Sequence, residues 1–192
     1  NVILLVGASC FLGYLYQGPP FRLGYQGLGE PLCWLAFGPL AYTAALIALN
    51  PSDIYLTSIP WKESLLLGSG SSLATTLVLF CSHFHQIKED KEHGKNSPLV
   101  RLGAKKGAKL IPWIVFIIYF FQLCIIINGF IPIFCILYLI SFPQSLKLIN
   151  LLRHSYKKPE IIKNCKFIAI KFQTLNGIGL IAGLIMDYFI YK

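Results

Sequence analysis

Long runs of apolar residues, separated by short basic segments, constrain this chain more than any single motif does. One run reads Leu110-Ile111-Pro112-Trp113-Ile114-Val115-Phe116-Ile117-Ile118-Tyr119-Phe120-Phe121 without a charge. The hydrocarbon core of a bilayer is about 30 Å thick and takes about 20 apolar residues of helix to cross. Inside lipid the backbone must satisfy its own hydrogen bonds, so only helices and closed barrels span it. These runs are continuous rather than alternating, and several reach the required length. Charged residues are 13% of the 192, about half the share of an average soluble domain. The expected fold class is therefore all-α, a polytopic transmembrane helical bundle forming one membrane-embedded domain over residues 1–192.

Six spans are predicted. They run from Asn1 to about Tyr14, Pro31 to Leu49, Glu63 to about His85, Leu110 to Asn128, Phe130 to Leu146, and Phe172 to Tyr191. The fourth and fifth are divided at Asn128-Gly129, a turn signal followed by Pro132. A proline near a helix start loses little, because its missing N–H would have had no helical partner there. Charge tests the map. Of 17 Lys and Arg residues, only Lys62 and Lys192 fall on the side holding Asn50–Lys62, the Gly129 turn and the C-terminus. The rest lie in Leu15–Glu30, Gln86–Lys109 and Lys147–Lys171, all on the other side. Lys and Arg gather in loops that stay cytoplasmic or stromal, so those three segments are expected there.

The net charge of +9 follows from such loops and from contact with anionic membrane lipid. No interleaving of aromatic and basic residues of the kind that reads bases is present, so no nucleic-acid partner is expected. The cysteines (Cys10, Cys33, Cys81, Cys124, Cys135, Cys165) lack metal-ligand spacing and read as small apolar filler. Asn1 leads straight into Val2-Ile3-Leu4-Leu5-Val6 with no basic n-region and no small-residue cleavage site, so no signal peptide is expected here and the chain reads as cut from a larger membrane protein.

Two segments concentrate chemistry. The first, Tyr14 to Glu30, carries Gly18, Pro19, Pro20, Gly24, Gly27 and Gly29, and cannot be helical throughout. Irregular backbone near a membrane is tolerated where it lines a polar cavity; an interfacial loop with Tyr anchors is the plainer alternative. Arg22 and Glu30 are its charges. The second, Ser82 to Gly103, holds Glu89, Asp90 and Glu92, three of the eight acids. If helix persists beyond the membrane edge, His83, Gln86 and Asp90 share a face. Carboxylates suit Mg²⁺, which also takes phosphate oxygens, and Lys95 and Arg101 follow as candidate diphosphate contacts. A solvated charge cluster at a helix end is the alternative.

The loop Tyr16 to Glu30, ending Gly-Tyr-Gln-Gly-Leu-Gly-Glu, resembles the loop after the fourth helix in intramembrane aromatic prenyltransferases of the UbiA superfamily, above all the 1,4-dihydroxy-2-naphthoate branch. Gly94-Lys95-Asn96-Ser97 with Val100-Arg101-Leu102-Gly103 resembles the tail of that branch's second aspartate-rich motif, and His83-Phe84-His85-Gln86 is similar to its cyanobacterial and plastid form. The resemblance covers nearly the whole chain, as the last six of nine helices. It implies that Asp90, with Glu89 and Gln86, holds Mg²⁺ on a prenyl diphosphate. Gln86 departs from the usual aspartate and brings no charge. It implies further that Lys95 and Arg101 contact diphosphate, that Tyr16 and Arg22 border the reacting carbon, that Glu30, the acid at the end of the first loop, binds substrate, and that His83 belongs to the acceptor pocket.

The reaction implied is transfer of a phytyl or polyprenyl group from its diphosphate to 1,4-dihydroxy-2-naphthoate with decarboxylation, in phylloquinone or menaquinone biosynthesis. The family's first motif, Asn-Asp-x-x-Asp, does not occur here; half the metal site is expected before Asn1, and this chain alone is expected to be inactive. A plastid or bacterial inner membrane is the expected location, with Ile, Lys and Asn usage leaning to a plastid. The rival readings are a non-catalytic polytopic protein or transporter fragment, and a related prenyltransferase with another aromatic acceptor. Transporters bury ionisable groups in mid-helix; here Asp187 is the main such residue.

Overall fold

The computed structural model describes residues 2–49 and 59–191, which are helical and turn structure without a strand. Helix α1 is Val2–Gln17. After an irregular loop, α2 runs over Gly29–Leu49, with a widened π turn at Ala36–Leu40 that contains Pro39. Pro39 has no N–H to give to the preceding turn, and the local rewinding absorbs that loss. Helix α3 is Trp61–Ser82 and α4 the short Ile87–Glu92. Helix α5 is Pro98–Ile127, kinked at Gly103. Helix α6 spans Ile133–Ser155 and opens as a 3₁₀ stretch over Ile133–Ser141. One turn at Pro159–Ile162, α7, precedes α8, Cys165–Tyr191.

Five of these helices are long and apolar enough to cross a membrane. The first expected span is α1, whose 16 residues fall short of a full crossing. The turn between the fourth and fifth spans lies where Asn128-Gly129 predicts it, with Gly129 at φ 72°. The predicted edges are too tight elsewhere: α5 begins a dozen residues before Leu110, because the helix carries the basic stretch to Lys109 outside the apolar run. The expected third span is also corrected. Helix does not continue from α3 into the acidic segment; it breaks in a turn over residues 83–86 and restarts as α4. Most of the expected loop Asn50–Lys62 lies outside the described residues.

The central helix is α3. It offers Gly68, Ser69, Gly70, Ser72, Ala74 and Thr76 as buried small residues, and α2, α5 and α8 all pack on it. Between helices in lipid the driving force is close packing and hydrogen bonding, because lipid tails are as apolar as the side chains. Nearer the polar end, Leu77, Phe80 and Cys81 join Leu99, Ile111, Leu148, Leu152 and Phe172 in the largest core cluster. Polar side chains deep in the bundle pair with each other. Gln122 donates to the Asn176 Oδ1 at 2.6 Å, Asn176 donates back to the Gln122 Oε1 at 3.0 Å, and both residues are 1% exposed. The outward faces carry Trp113, Phe116, Phe120, Ile181 and Phe189, the arrangement a lipid solvent requires.

Helices α6 and α8 meet where α8 has no side chain. A Cβ at Gly183 would run into the backbone of Phe134 and Cys135, whereas one at Gly177 meets nothing within 4 Å. Gly183→Ala is therefore expected to cost about 1–3 kcal/mol through overpacking and to lower the thermal midpoint in mild detergent by several degrees. Gly177→Ala should leave the midpoint unchanged or raised. Equal midpoints for the two variants would rule out this close approach.

Candidate functional site

The two segments that carry chemistry fold onto each other at one end of the bundle. The loop after α1 turns back at once: Leu23 N–H donates to the Leu15 carbonyl at 2.9 Å and Gly24 N–H to the Tyr16 carbonyl at 3.0 Å. The acidic segment curls through α4, with Lys95 N–H on the Asp90 carbonyl at 2.7 Å. Two bonds then join them. Asn96 N–H donates to the Tyr25 carbonyl at 2.7 Å, and the Arg101 guanidinium donates to the Gln26 carbonyl. Gly27 fits between: its φ is 81°, and a Cβ there would stand 2.6 Å from the Asn96 carbonyl oxygen. Both the left-handed backbone and the lack of space call for glycine.

At the junction Asp90 is buried at 8% exposure and shared. Its Oδ1 lies 3.2 Å from Lys95 Nζ and its Oδ2 lies 3.1 Å from His83 Nδ1. His83 Nε2 faces the Glu30 Oε1 at 3.6 Å. The helix break after Ser82 swings His83 into this position, between the first residues of α2 and the start of α4. Burial and the Lys95 charge push the His83 imidazole below its usual range, while Asp90 pulls the other way. Burial and then Lys166 do the same to His85. Both Glu30 carboxyl oxygens are buried without a hydrogen bond, a costly state for a carboxyl group and a sign that the site is shaped around a further group.

Gln86, Glu89, Asp90 and Lys95 line one polar cavity of about 220 Å³, together with Gln17, Tyr25 and His93. Three oxygen-bearing side chains on one cavity suit a hard cation that completes its shell with water and phosphate. Among the described residues no three His, Cys, Asp or Glu side chains gather closely enough to hold a metal without such help. The expected residues divide. Tyr16, Glu30, His83, Gln86, Glu89, Asp90 and Lys95 cluster around the junction. Arg101 holds the first loop instead of pointing at the cavity. Arg22 is exposed at φ 43°, and its guanidinium sits 5.7 Å from the Tyr25 ring, so it meets the cavity through that ring.

A second cavity, about 640 Å³, lies between α1 and α2 and is almost wholly apolar. Val6, Leu12, Phe37 and Leu40 line it, and Tyr16 stands on its wall. A Cβ at Gly29 would lie 3.2 Å from the Tyr16 ring, which sets that ring against the residue preceding Glu30, and Gln17, next to Tyr16 in sequence, lines the polar cavity. Sequence reasoning missed Gln17, Tyr25 and His93. All three lie inside the two segments it singled out, but nothing in their local pattern marked them. Gln17 ends α1, and only the fold brings it to the acidic segment.

Residues 1–170 match the UbiA prenyltransferase family. The chain is 40% identical over 183 residues to the 2-carboxy-1,4-naphthoquinone phytyltransferase of Synechocystis, covering 95% of this chain and 57% of that protein. It is 38% identical over 191 residues to the chloroplastic 2-carboxy-1,4-naphthoquinone phytyltransferase of Arabidopsis thaliana, covering 97% and 49%. The 1,4-dihydroxy-2-naphthoate octaprenyltransferase of Bacillus subtilis is 21% identical over 188 residues, with 98% and 57% covered. The chain thus spans about half the length of these curated relatives. No solved structure matches it significantly. The polar junction over an apolar cavity, the two loop motifs and this match along most of the chain lead to one conclusion: the chain belongs to the UbiA prenyltransferase family.

Proposed function

We propose that the protein to which this chain belongs transfers a phytyl or polyprenyl group from its diphosphate to 1,4-dihydroxy-2-naphthoate, with loss of the carboxylate as CO₂. The observation that carries this reading is the adjacency of the two cavities. A polar recess bearing Lys95, Asp90, Glu89 and Gln86 opens beside an apolar one large enough for a prenyl chain: Tyr16 lines the apolar cavity and the adjoining Gln17 the polar one. The names of the Synechocystis and Arabidopsis relatives add the naphthoquinone class of acceptor.

In this reading Gln86, Glu89 and Asp90 would hold Mg²⁺, whose charge offsets that developing on the diphosphate oxygens. Lys95 adds a fixed positive group on the same recess, where transition-state charge is met without reorganisation. The allylic C–O bond breaks with its electrons leaving on diphosphate. The ring carbon bearing the carboxylate then bonds to the allylic carbon, and decarboxylation restores the aromatic ring. The electron-rich dihydroxy form is the nucleophile this chemistry needs, so the 2-carboxy-naphthoquinone would have to be reduced first. His83 and Glu30 would keep Asp90 in place and border the acceptor, and Tyr16 and Arg22 would border the reacting carbon. The three basic loops would face the cytoplasm or stroma of a bacterial or plastid membrane.

The test uses the full-length protein in membranes, supplied with phytyl diphosphate, dihydroxynaphthoate and Mg²⁺. Prenylated, decarboxylated product is expected; chelation by EDTA should stop its formation and added Mg²⁺ restore it. Asp90→Ala should lower turnover by about 100-fold or more, and wild-type turnover in that variant would remove Asp90 from the metal set. No product with dihydroxynaphthoate, alongside product with homogentisate, would replace the acceptor.

Arg101 has a separate expectation. Because its guanidinium grips the Gln26 carbonyl, Arg101→Ala should speed amide hydrogen exchange across Tyr25–Leu28 even without substrate. Unchanged exchange there, with weaker diphosphate binding, would return Arg101 to direct substrate contact.

A further inference from the structure

A third cavity, about 290 Å³, opens between α5 and α6 and shares no residue with the two already described. Lys105, Lys109 and Arg153 stand around it with Tyr156, and Ala108, Pro112 and Ile149 form its apolar part. Lys105 and Lys109 are four residues apart on one helix, so they lie on one face. Arg153 reaches the same recess from the last turn of α6. None of the ion pairs or side-chain hydrogen bonds among the described residues involves these three cations. Three positive groups thus stand around a concave surface with no acid among the described residues that line it.

The depth of this recess defines what fits it. It lies at the basic end of the bundle, and Trp113, 66% exposed, follows within a turn along α5. Exposed tryptophan at such a boundary marks the headgroup level. Beyond it Trp113, Phe116 and Phe120 form an outward aromatic row, with Phe116 and Phe120 stacked at 5.9 Å. A ligand here meets cations and a tyrosine at one end and, towards mid-membrane, an apolar floor running into a lipid-facing stripe.

We propose that this recess is a binding site for an anionic membrane lipid, its phosphate held by Lys105, Lys109 and Arg153 and the start of its acyl chain seated on Pro112 and Ile149. Charge complementarity and position select this occupant: basic pockets between helices on the cytoplasmic side take anionic headgroups. A soluble anion would leave the apolar floor unused. The site would anchor α5 to α6 from outside, at the level of the loops that carry the polar junction.

The experiment is native mass spectrometry of the full-length protein released from nanodiscs containing phosphatidylglycerol and phosphatidylcholine in equal parts. Wild type should retain phosphatidylglycerol selectively. The triple variant Lys105→Gln, Lys109→Gln, Arg153→Gln should retain at least about tenfold less, whereas Lys147→Gln, Lys158→Gln, Lys163→Gln removes equal charge from the same end and should retain it as wild type does. Ile149→Trp, which keeps all three cations and fills the floor, should also lose the lipid, so misfolding of the first variant does not decide the matter. Equal retention by wild type and both recess variants, or equal loss in the control, overturns the site. Displacement of the lipid by phytyl diphosphate but not by inorganic diphosphate would make the recess a substrate site and overturn the lipid assignment; displacement by inorganic diphosphate alone would reduce it to a simple anion site.

Discussion

The carboxylate of Asp90 makes two contacts at once, to the Lys95 ammonium on one oxygen and the His83 imidazole on the other. The rest of the polar end is arranged around that sharing. His83 extends it to Glu30 at the start of α2, so one buried imidazole connects the segment that follows α3 with the loop that leads into α2. A charge this deeply buried is expensive unless its partners are fixed. The partners are fixed by backbone: the curl of α4, the Asn96–Tyr25 bond and the Arg101 grip on Gln26. Removing any one partner leaves a buried group without compensation, which is why so few residues can define the shape of the recess.

Position relative to the bilayer follows from the same economy of polar groups. Charges gather at the ends, where water and headgroups satisfy them, and the polar residues left in mid-bundle are uncharged and paired. The two cavities of the candidate site reflect this division. One is lined by oxygen- and nitrogen-bearing side chains at the membrane edge, the other by aliphatic and aromatic ones below it, and Tyr16, with an apolar ring and a polar tip, stands on the wall of the apolar one.

Much of this was legible in the chain. The apolar runs gave the helices, the Lys and Arg distribution grouped the loops, and Asn128-Gly129 marked the turn between α5 and α6. The motifs brought Tyr16, Glu30, His83, Gln86, Glu89, Asp90 and Lys95 to one place. The break between Ser82 and Ile87 was not legible, because Ser82-His83-Phe84-His85-Gln86 contains neither glycine nor proline and local propensity permits helix. It arises from tertiary contact: His83 turns inwards to meet Asp90 and Glu30. The role of Arg101 was hidden for a similar reason. Its partner, the Gln26 carbonyl, is a backbone atom 75 residues away, and no side-chain pattern encodes a bond to backbone at that separation.

The paired amides of Gln122 and Asn176 carry a mechanical consequence. They lock α5 to α8 at one depth, as a dowel locks two boards. Sliding either helix by a turn would strand both amides in hydrocarbon without a partner. The bundle is therefore pinned at its waist, and the freedom to admit a headgroup and a long chain is left to its ends and to the flank between α1 and α2.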